Sequence, residues 1–384
     1  MKPSVVYWNN IPAPYMVERF NALAERDTLT FEAWFSARTK RGRSWRIDEH
    51  DWKFPYRVLP SINRGMYPLA LPTPLLTKTP PDLLVTLYAA PAFLFGWAIA
   101  RRRGARTALW VEVTYDAVVP RRRWKETLKS KVLSKADAIL TAGDDGRAYA
   151  ERYGVLSDRI FRVPHVIDAR RYRAGAPGSS ETRGHVRAEL GLKGVTFIYV
   201  GRLWVAKGLL NLLEAFEQLQ QRQPEGITLL LVGDGPDEAL IRERARRFSG
   251  SVVFTGFQHA EELPRLYSAA DVFVFPTLGD TFGLVVLEAM ASGLPIIATS
   301  ASGEIQDRVE EGVNGFIVPP GEVEPLLDRM SVLAQYADLR QRMGAASHER
   351  VSGQTPAVWA EAFEDAVDGI FSLPRTGEPA PVAE

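Results

Sequence analysis

The chain of 384 residues contains no cysteine, which excludes a disulfide framework, a thiolate metal site and a cysteine nucleophile. Histidine is scarce. His50, His165, His185, His259 and His348 form no cluster with acids at ligand spacing, so no dedicated metal site is expected. A long apolar run is also missing: the most apolar span, 83–100, is broken by Pro91 and Gly96 and carries Thr86 and Tyr88. It reads as a buried strand and a short helix, not a membrane span. The first residues lack the basic segment, apolar stretch and cleavage site of a secretory signal, which predicts a cytoplasmic protein.

Net charge is almost absent as well, at +1, but this hides a split. Residues 1–174 hold 30 Lys+Arg against 17 Asp+Glu, and the remainder holds 17 against 29. One half therefore suits an anionic partner such as a phosphorylated substrate or an anionic leaflet. Arg38, Lys40, Arg41, Arg43 and Arg46 form one basic cluster, and 101–135 carries eleven bases against three acids, with Trp45, Trp52 and Trp124 interspersed. Such a surface can rest at the inner face of a membrane, or it is simply solvated. No recognition motif accompanies the charge, so nucleic acid is not an expected partner.

The length favours two domains. Apolar runs at 4–8, 29–35, 83–87, 105–113, 138–142 and 160–163, separated by stretches long enough for helices, predict a parallel sheet with covering helices. Residues 174–184, AGAPGSSETRG, read as an exposed linker between a domain at 1–173 and one at 185–355. Beyond it, strands at 196–200, 228–232, 252–255, 272–276 and 295–298 alternate with helices at 209–221, 236–248, 261–269 and 283–291. The fold class is α/β, with ligands expected at the carboxyl ends of the strands. A last helix at 356–372 is expected to pack back on the first domain, and 373–384 to be a disordered tail.

Two constellations carry chemistry. The loop at 201–208 places Gly201, Arg202, Lys207 and Gly208 between a strand end and a helix start, a cradle for a diphosphate or else a solvated basic loop. In the second, Asp280 precedes a helix and Glu288 follows eight residues on, with the amides of Thr281, Phe282, Gly283 and Leu284 expected to be unpaired in the first turn. Asp280 could instead merely cap the helix. Glu288 lies in a helix that is apolar nearly all round, where a carboxylate needs a partner or a ligand. The G-D-G-P at 233–236 has Glu238 where a dinucleotide fingerprint needs glycine, so it reads as a strand-to-helix turn. His165 reads as a packing residue.

At these residues the chain resembles the retaining glycosyltransferases of family GT4. The likeness rests on V-G-R-L-x-x-x-K-G at 200–208, L-V-G-D-G-P at 231–236, F-T-G-F at 254–257, Y-S-A-A-D-V-F-V-F-P at 267–276, T-F-G-L-V-V-L-E-A-M-A-S-G-L-P at 281–295 and E-E-G-V-N-G-F-I-V-P-P at 310–320. The resemblance implies the GT-B architecture, two Rossmann-like doubly wound domains facing a central cleft, with acceptor bound by the first and donor by the second. It implies that Arg202 and Lys207 hold a donor diphosphate and that Glu288, the second acid of the family's E-x7-E motif, binds the ribose. Asp280 stands where the first Glu usually lies. The amides of Phe282, Gly283 and Leu284 would meet phosphate or sugar, and Gly256 and Phe257 would border the nucleobase. The first domain departs from the pattern: 9–15 lacks a glycine-rich loop, and 109–114 has no histidine, leaving Glu112 as a catalytic candidate or a structural carboxylate.

The expected function is transfer of a sugar, with retention, from a UDP- or GDP-sugar to a hydroxyl acceptor. No cofactor is implied, and the acceptor is expected to be lipid-linked or membrane-associated, as in cell-surface polysaccharide assembly. A nucleotide-sugar epimerase of the same fold and a non-catalytic nucleotide-sugar-binding protein are the alternatives.

Overall fold

The computed structural model describes residues 2–39, 48–62, 69–88, 90–111, 123–173, 180–222, 226–248 and 250–376. They fall into two compact units: up to residue 111 with 123–165 and 356–376, and 166–355.

The first unit contains β1 (Ser4–Asn9), β2 (Thr30–Phe35), β3 (Tyr56–Val58), a hairpin of β4 (Ser61–Ile62) and β5 (Leu69–Ala70), then β6 (Leu83–Leu87), β7 (Arg106–Val111), β8 (Ala138–Thr141) and β9 (Ile160–Arg162). Apart from the hairpin these form one parallel sheet in the order β3-β2-β1-β6-β7-β8-β9. Neighbouring side chains on β1 point to opposite faces, so Tyr7 and Trp8 enter different cores. Trp8 packs with Trp34, Leu84 and Phe93. Tyr7 meets Phe20, Trp359 and Phe363. The last two belong to the helix Pro356–Ser372, which lies against the helix Pro14–Arg26.

The second unit holds β10 (Val195–Val200), β11 (Ile227–Val232), β12 (Val252–Gly256), β13 (Val272–Phe275), β14 (Ile296–Thr299) and β15 (Gly315–Val318). All pair in parallel, in the order β12-β11-β10-β13-β14-β15. Every residue of β11 is buried, as a central strand covered on both faces requires. The helix Leu209–Arg222 turns Leu209, Leu212, Leu213, Phe216 and Leu219 inward, the stripe that a 3.6-residue period produces.

Three boundaries differ from the sequence expectation. The chain enters the second unit after His165, well before 174–184. The reason is that Ile167, Ala169 and Tyr172 are already buried and the Ala169 amide donates to the Gln354 carbonyl at 3.2 Å. Residues 174–179 of the expected linker lie outside the described residues, and from residue 180 the chain is in the helix Ser180–Glu189, which Arg183 and Arg187 fasten to Asp271. The expected tail is anchored at its start: Asp137 accepts from the Thr376 amide at 2.9 Å, and Arg159 donates to the Pro374 carbonyl at 3.1 Å. Residues 377–384 lie outside the described residues. The expected helix at 236–248 is split into Glu238–Ala245 and a 3-10 turn, Arg246–Phe248.

Candidate functional site

In the second sheet the chain runs outward in both directions from β10 and β13, so the carboxyl ends of these two strands form its switch point. The loop after β10 is held by its neighbour on the other side. The Gly201 amide donates to the Val232 carbonyl at 3.0 Å, the Leu203 amide to Asp234 at 2.7 Å, and the Val205 amide to the Asp237 carboxylate at 2.8 Å. Gly208 closes the loop with φ at +71°. A Cβ there would lie 1.8 Å from the Pro276 carbonyl oxygen, so the loop reaches the end of β13 only because this position has no side chain.

That closure brings Lys207 to the loop after β13. Its Nζ lies 2.5 Å from Asp280 Oδ2 and 3.2 Å from the Gly279 carbonyl, with both charged side chains mostly buried. Asp280 Oδ1 accepts from the amides of Phe282 and Gly283, each at 3.0 Å. The carboxylate thus sits among an ammonium and two backbone amides, the donor set that an anionic oxygen seeks.

This corrects the expectation that the first-turn amides stand unpaired, since Asp280 takes those of Phe282 and Gly283. The helix begins only at Leu284. Asp280 itself is bridged to Ser302, its amide donating to Ala301 and its carbonyl accepting from Gly303. The eight-residue spacing to Glu288 therefore does not place both acids on one helix face. Thr281 is exposed beside them.

Arg202 is half-buried, its guanidinium 5.9 Å from the Trp204 ring. Tyr199 links the loop to the strand below by donating to the Arg202 carbonyl at 2.9 Å. Burial, reinforced by the Asp280 charge and opposed by Arg202, pushes the Tyr199 phenol above its usual range and keeps it a donor. Glu288 accepts a hydrogen bond from Tyr267 at 2.9 Å. Burial and the Glu288 charge raise the Tyr267 phenol well above its ordinary value, so it too stays protonated. At the edge, the Gly256 carbonyl accepts from the Gly233 amide at 2.8 Å, and the Phe257 ring packs edge-on to His259 at 5.1 Å.

The structure thus joins Lys207, Asp280, Phe282 and Gly283 directly, carries Gly201 and Arg202 on the same loop, and sets Glu288 apart with Tyr267. Glu112 lies outside the described residues. Arg308 is the supporting residue that sequence reading missed. It is buried, donates to the carbonyls of Phe282 and Gly303 at 2.6 and 3.1 Å, and covers the Phe282 ring at 3.5 Å. Its partners lie in another loop, and no local pattern signals it. Tyr267 opens a run quoted above, but only the fold shows that its hydroxyl meets Glu288. Among the described residues no group of three or more His, Asp or Glu could hold a metal ion.

The fold is similar to that of solved glycosyltransferase structures. HepE of Anabaena in complex with UDP is similar at TM-score 0.75 and 19% identity, over 96% of this chain and all of that one. Sucrose-phosphate synthase of Thermosynechococcus elongatus is similar at TM-score 0.76 and 21% identity, over 97% of this chain and all of the other. The architecture is therefore GT-B, with two Rossmann-like units. Residues 194–335 match the family model for glycosyl transferases group 1. The sulfoquinovosyl transferase of Arabidopsis thaliana is 37% identical over 40% of this chain, and the D-inositol 3-phosphate glycosyltransferase of Nocardia farcinica 32% identical over 62%. This chain spans 29% of the first relative's length and 53% of the second's. The second unit is thus similar to glycosyl transferases group 1 over residues 194–335, within a chain of GT-B fold.

Proposed function

We propose that the chain is a retaining glycosyltransferase that moves a sugar from a UDP- or GDP-sugar to a hydroxyl acceptor. The observation that carries this reading is the Lys207 ammonium and the amides of Phe282 and Gly283 gathered around one carboxylate at the switch point of a group 1 domain. The donor diphosphate takes the place of that carboxylate, Arg202 joins Lys207 in meeting the charge that grows on the leaving phosphate, and Glu288, oriented by Tyr267, holds the ribose. Gly256 and Phe257 border the base, and the amide of Leu284 faces the donor. Asp280, once displaced, is free to accept from a donor-sugar hydroxyl. Two cations suffice for the diphosphate, so no metal is needed.

The acceptor falls to the first unit and is lipid-linked, an intermediate of cell-surface polysaccharide assembly, with the protein peripheral at the inner face of the membrane. The acceptor hydroxyl attacks the anomeric carbon from the side that the diphosphate leaves, its bond forming as the carbon–phosphate-oxygen bond breaks, and the departing phosphate oxygen takes the acceptor's proton, which preserves the anomeric configuration.

Thermal unfolding with UDP and with GDP is the first test: one of them should raise the melting temperature, and Lys207→Ala and Arg202→Ala should each abolish the rise. Labelled donor with a membrane extract, with and without chelator, then separates transfer from its rivals. An isomerised donor without acceptor would mean an epimerase, and binding without turnover a carrier of nucleotide sugars. Loss of transfer in chelator would overturn metal independence.

A further inference from the structure

Among the described residues twelve large hydrophobic side chains are exposed, and five of them, Ile62, Leu69, Leu71, Leu76 and Phe95, belong to one crossover of the first unit and the helix packed on it. The crossover from β3 to β6 contains the hairpin β4–β5 and the short helix Thr73–Thr77. In the hairpin Ile62 stands opposite Leu69 and Ser61 opposite Ala70, and the Leu71 amide extends the ladder to the Pro60 carbonyl at 2.9 Å. Directly paired residues share a face, and successive residues alternate. Ala70 is therefore the inward residue and joins Trp8, Leu75 and Phe93 in a core cluster. The other face carries Pro60, Ile62, Leu69 and Leu71, and its three aliphatic side chains are 50–59% exposed.

A hairpin with one buried face ordinarily turns polar residues outward. Here the outward face is apolar, while Ser61, which shares the face of Ala70, is exposed. The helix repeats the arrangement, Leu75 being fully buried and Leu76 exposed. Phe95 lies one turn before Ile99 on the helix Pro91–Arg102, and Ile99 packs on the cluster that contains Ala70 and Leu75, so the Phe95 stripe borders the hairpin. Lys78, Arg102 and Arg103 are exposed beside these side chains. Arg103 donates to the carbonyls of Leu75 and Lys78 and so ties the two helices together. The stretches that make up this unit, 1–115, 120–165 and 356–384, hold 28 Lys+Arg against 21 Asp+Glu.

We infer that this face, the outer side of the hairpin with Leu76 and Phe95, docks on an anionic lipid bilayer. Separate aliphatic tips bordered by cations match the boundary between acyl chains and anionic headgroups. A second copy seated there would bring Lys78, Arg102 and Arg103 near their own duplicates. Of the basic-aromatic stretches named from the sequence, Arg102 and Arg103 border this surface and Trp52 does not belong to it. Trp52 stacks on Phe54 at 5.6 Å and meets Tyr56 at 4.5 Å, so it is held by neighbouring rings. Residues 40–47, with Trp45, lie outside the described residues, as does the side chain of Trp124.

The inference gives a location to the membrane association in the proposed function, but its test is independent of turnover. The purified full chain is sedimented with vesicles of phosphatidylcholine alone and with vesicles containing about one-third phosphatidylglycerol. The unaltered chain should partition to the anionic vesicles. The pair Leu69→Ser and Leu71→Ser should weaken partition roughly tenfold. The pair Lys78→Glu and Arg102→Glu should weaken it and flatten its salt dependence. Both should keep the original melting temperature and the original nucleotide-induced shift, which shows that they fold. Equal sedimentation of all variants, or none for the unaltered chain, overturns the inference. So does a concentration-dependent dimer on gel filtration that the leucine pair abolishes, since the face then belongs to a second copy. Absence of any nucleotide shift in the unaltered chain would count against the proposed function and leave the vesicle result standing.

Discussion

The two units share a strand order but treat their strand ends differently. In the first, the turn after β1 is closed by its own side chains: Ile11 and Ala13 are buried, and the helix Pro14–Arg26 follows at once. Further in, Arg19, 1% exposed, lies 2.8 Å from His165 Nδ1, and Trp110 packs on the same imidazole at 5.3 Å. A guanidinium only donates, so Nδ1 accepts and the imidazole proton resides on Nε2. In the second unit the corresponding turn opens into a basic loop whose lysine is held by a carboxylate. Fold order alone therefore does not make a binding site. The loops differ: the turn after β1 is filled by its own side chains, whereas the loop after β10 carries a lysine paired with Asp280.

Four substitutions sharpen the contrast. Trp359→Ala should have the largest effect, about 3–5 kcal/mol, because it empties a fully buried indole from between Tyr7, Phe20 and Phe363. Denaturant unfolding should show the loss, while nucleotide binding by the folded fraction persists. If binding falls in proportion, the units are not independent in function. Gly208→Ala acts on the other side. Its Cβ would press on the Pro276 carbonyl and hold an unfavourable φ, costing roughly 1–3 kcal/mol and moving Lys207 off Asp280. Calorimetry should show weakened nucleotide binding, and unchanged affinity would mean that loop closure does not matter.

Tyr267→Phe should cost about 0.5–1.5 kcal/mol by removing the hydrogen bond to Glu288, with a measurable loss of nucleoside affinity but little change for inorganic pyrophosphate. The smallest effect is at Asp168, whose carboxyl is held below its ordinary value chiefly by hydrogen bonds from Arg170. Because the folded value is depressed, the stabilisation is complete above the unfolded carboxylate range and disappears as pH falls through the folded value. Asp168→Asn should therefore flatten the acid limb of a stability profile below about pH 4, by no more than about 1 kcal/mol, since Arg170 is largely exposed.

Much of the second unit was legible in its sequence because its strands are nearly continuous apolar runs and its helices keep a clear stripe, a pairing that only a covered parallel sheet produces. Lys207 and Gly208 were legible for the same local reason, standing between a strand and a helix. Asp280 was placed correctly as a polar residue before a helix, and its bonds to the Phe282 and Gly283 amides are of the local kind that the capping alternative describes, but its bond to Lys207 was not foreseen, because it depends on how two distant loops meet. The first unit was harder. β3 has three residues and the hairpin strands two each, too short to leave a period. The crossing between units was misplaced because 174–184 looks like a linker by composition, whereas burial of Ile167 and Tyr172 decides where the second core begins.

The carboxylate beside Lys207 has a thermodynamic corollary. In the proposed function an anion that takes Asp280's place beside that ammonium displaces an ion pair of 2.5 Å, so an affinity measured there reports an exchange of one negative group for another, not the filling of a vacancy. Weak binding of a nucleotide in such a trial is therefore compatible with strong contacts, most of their strength being spent on evicting the resident.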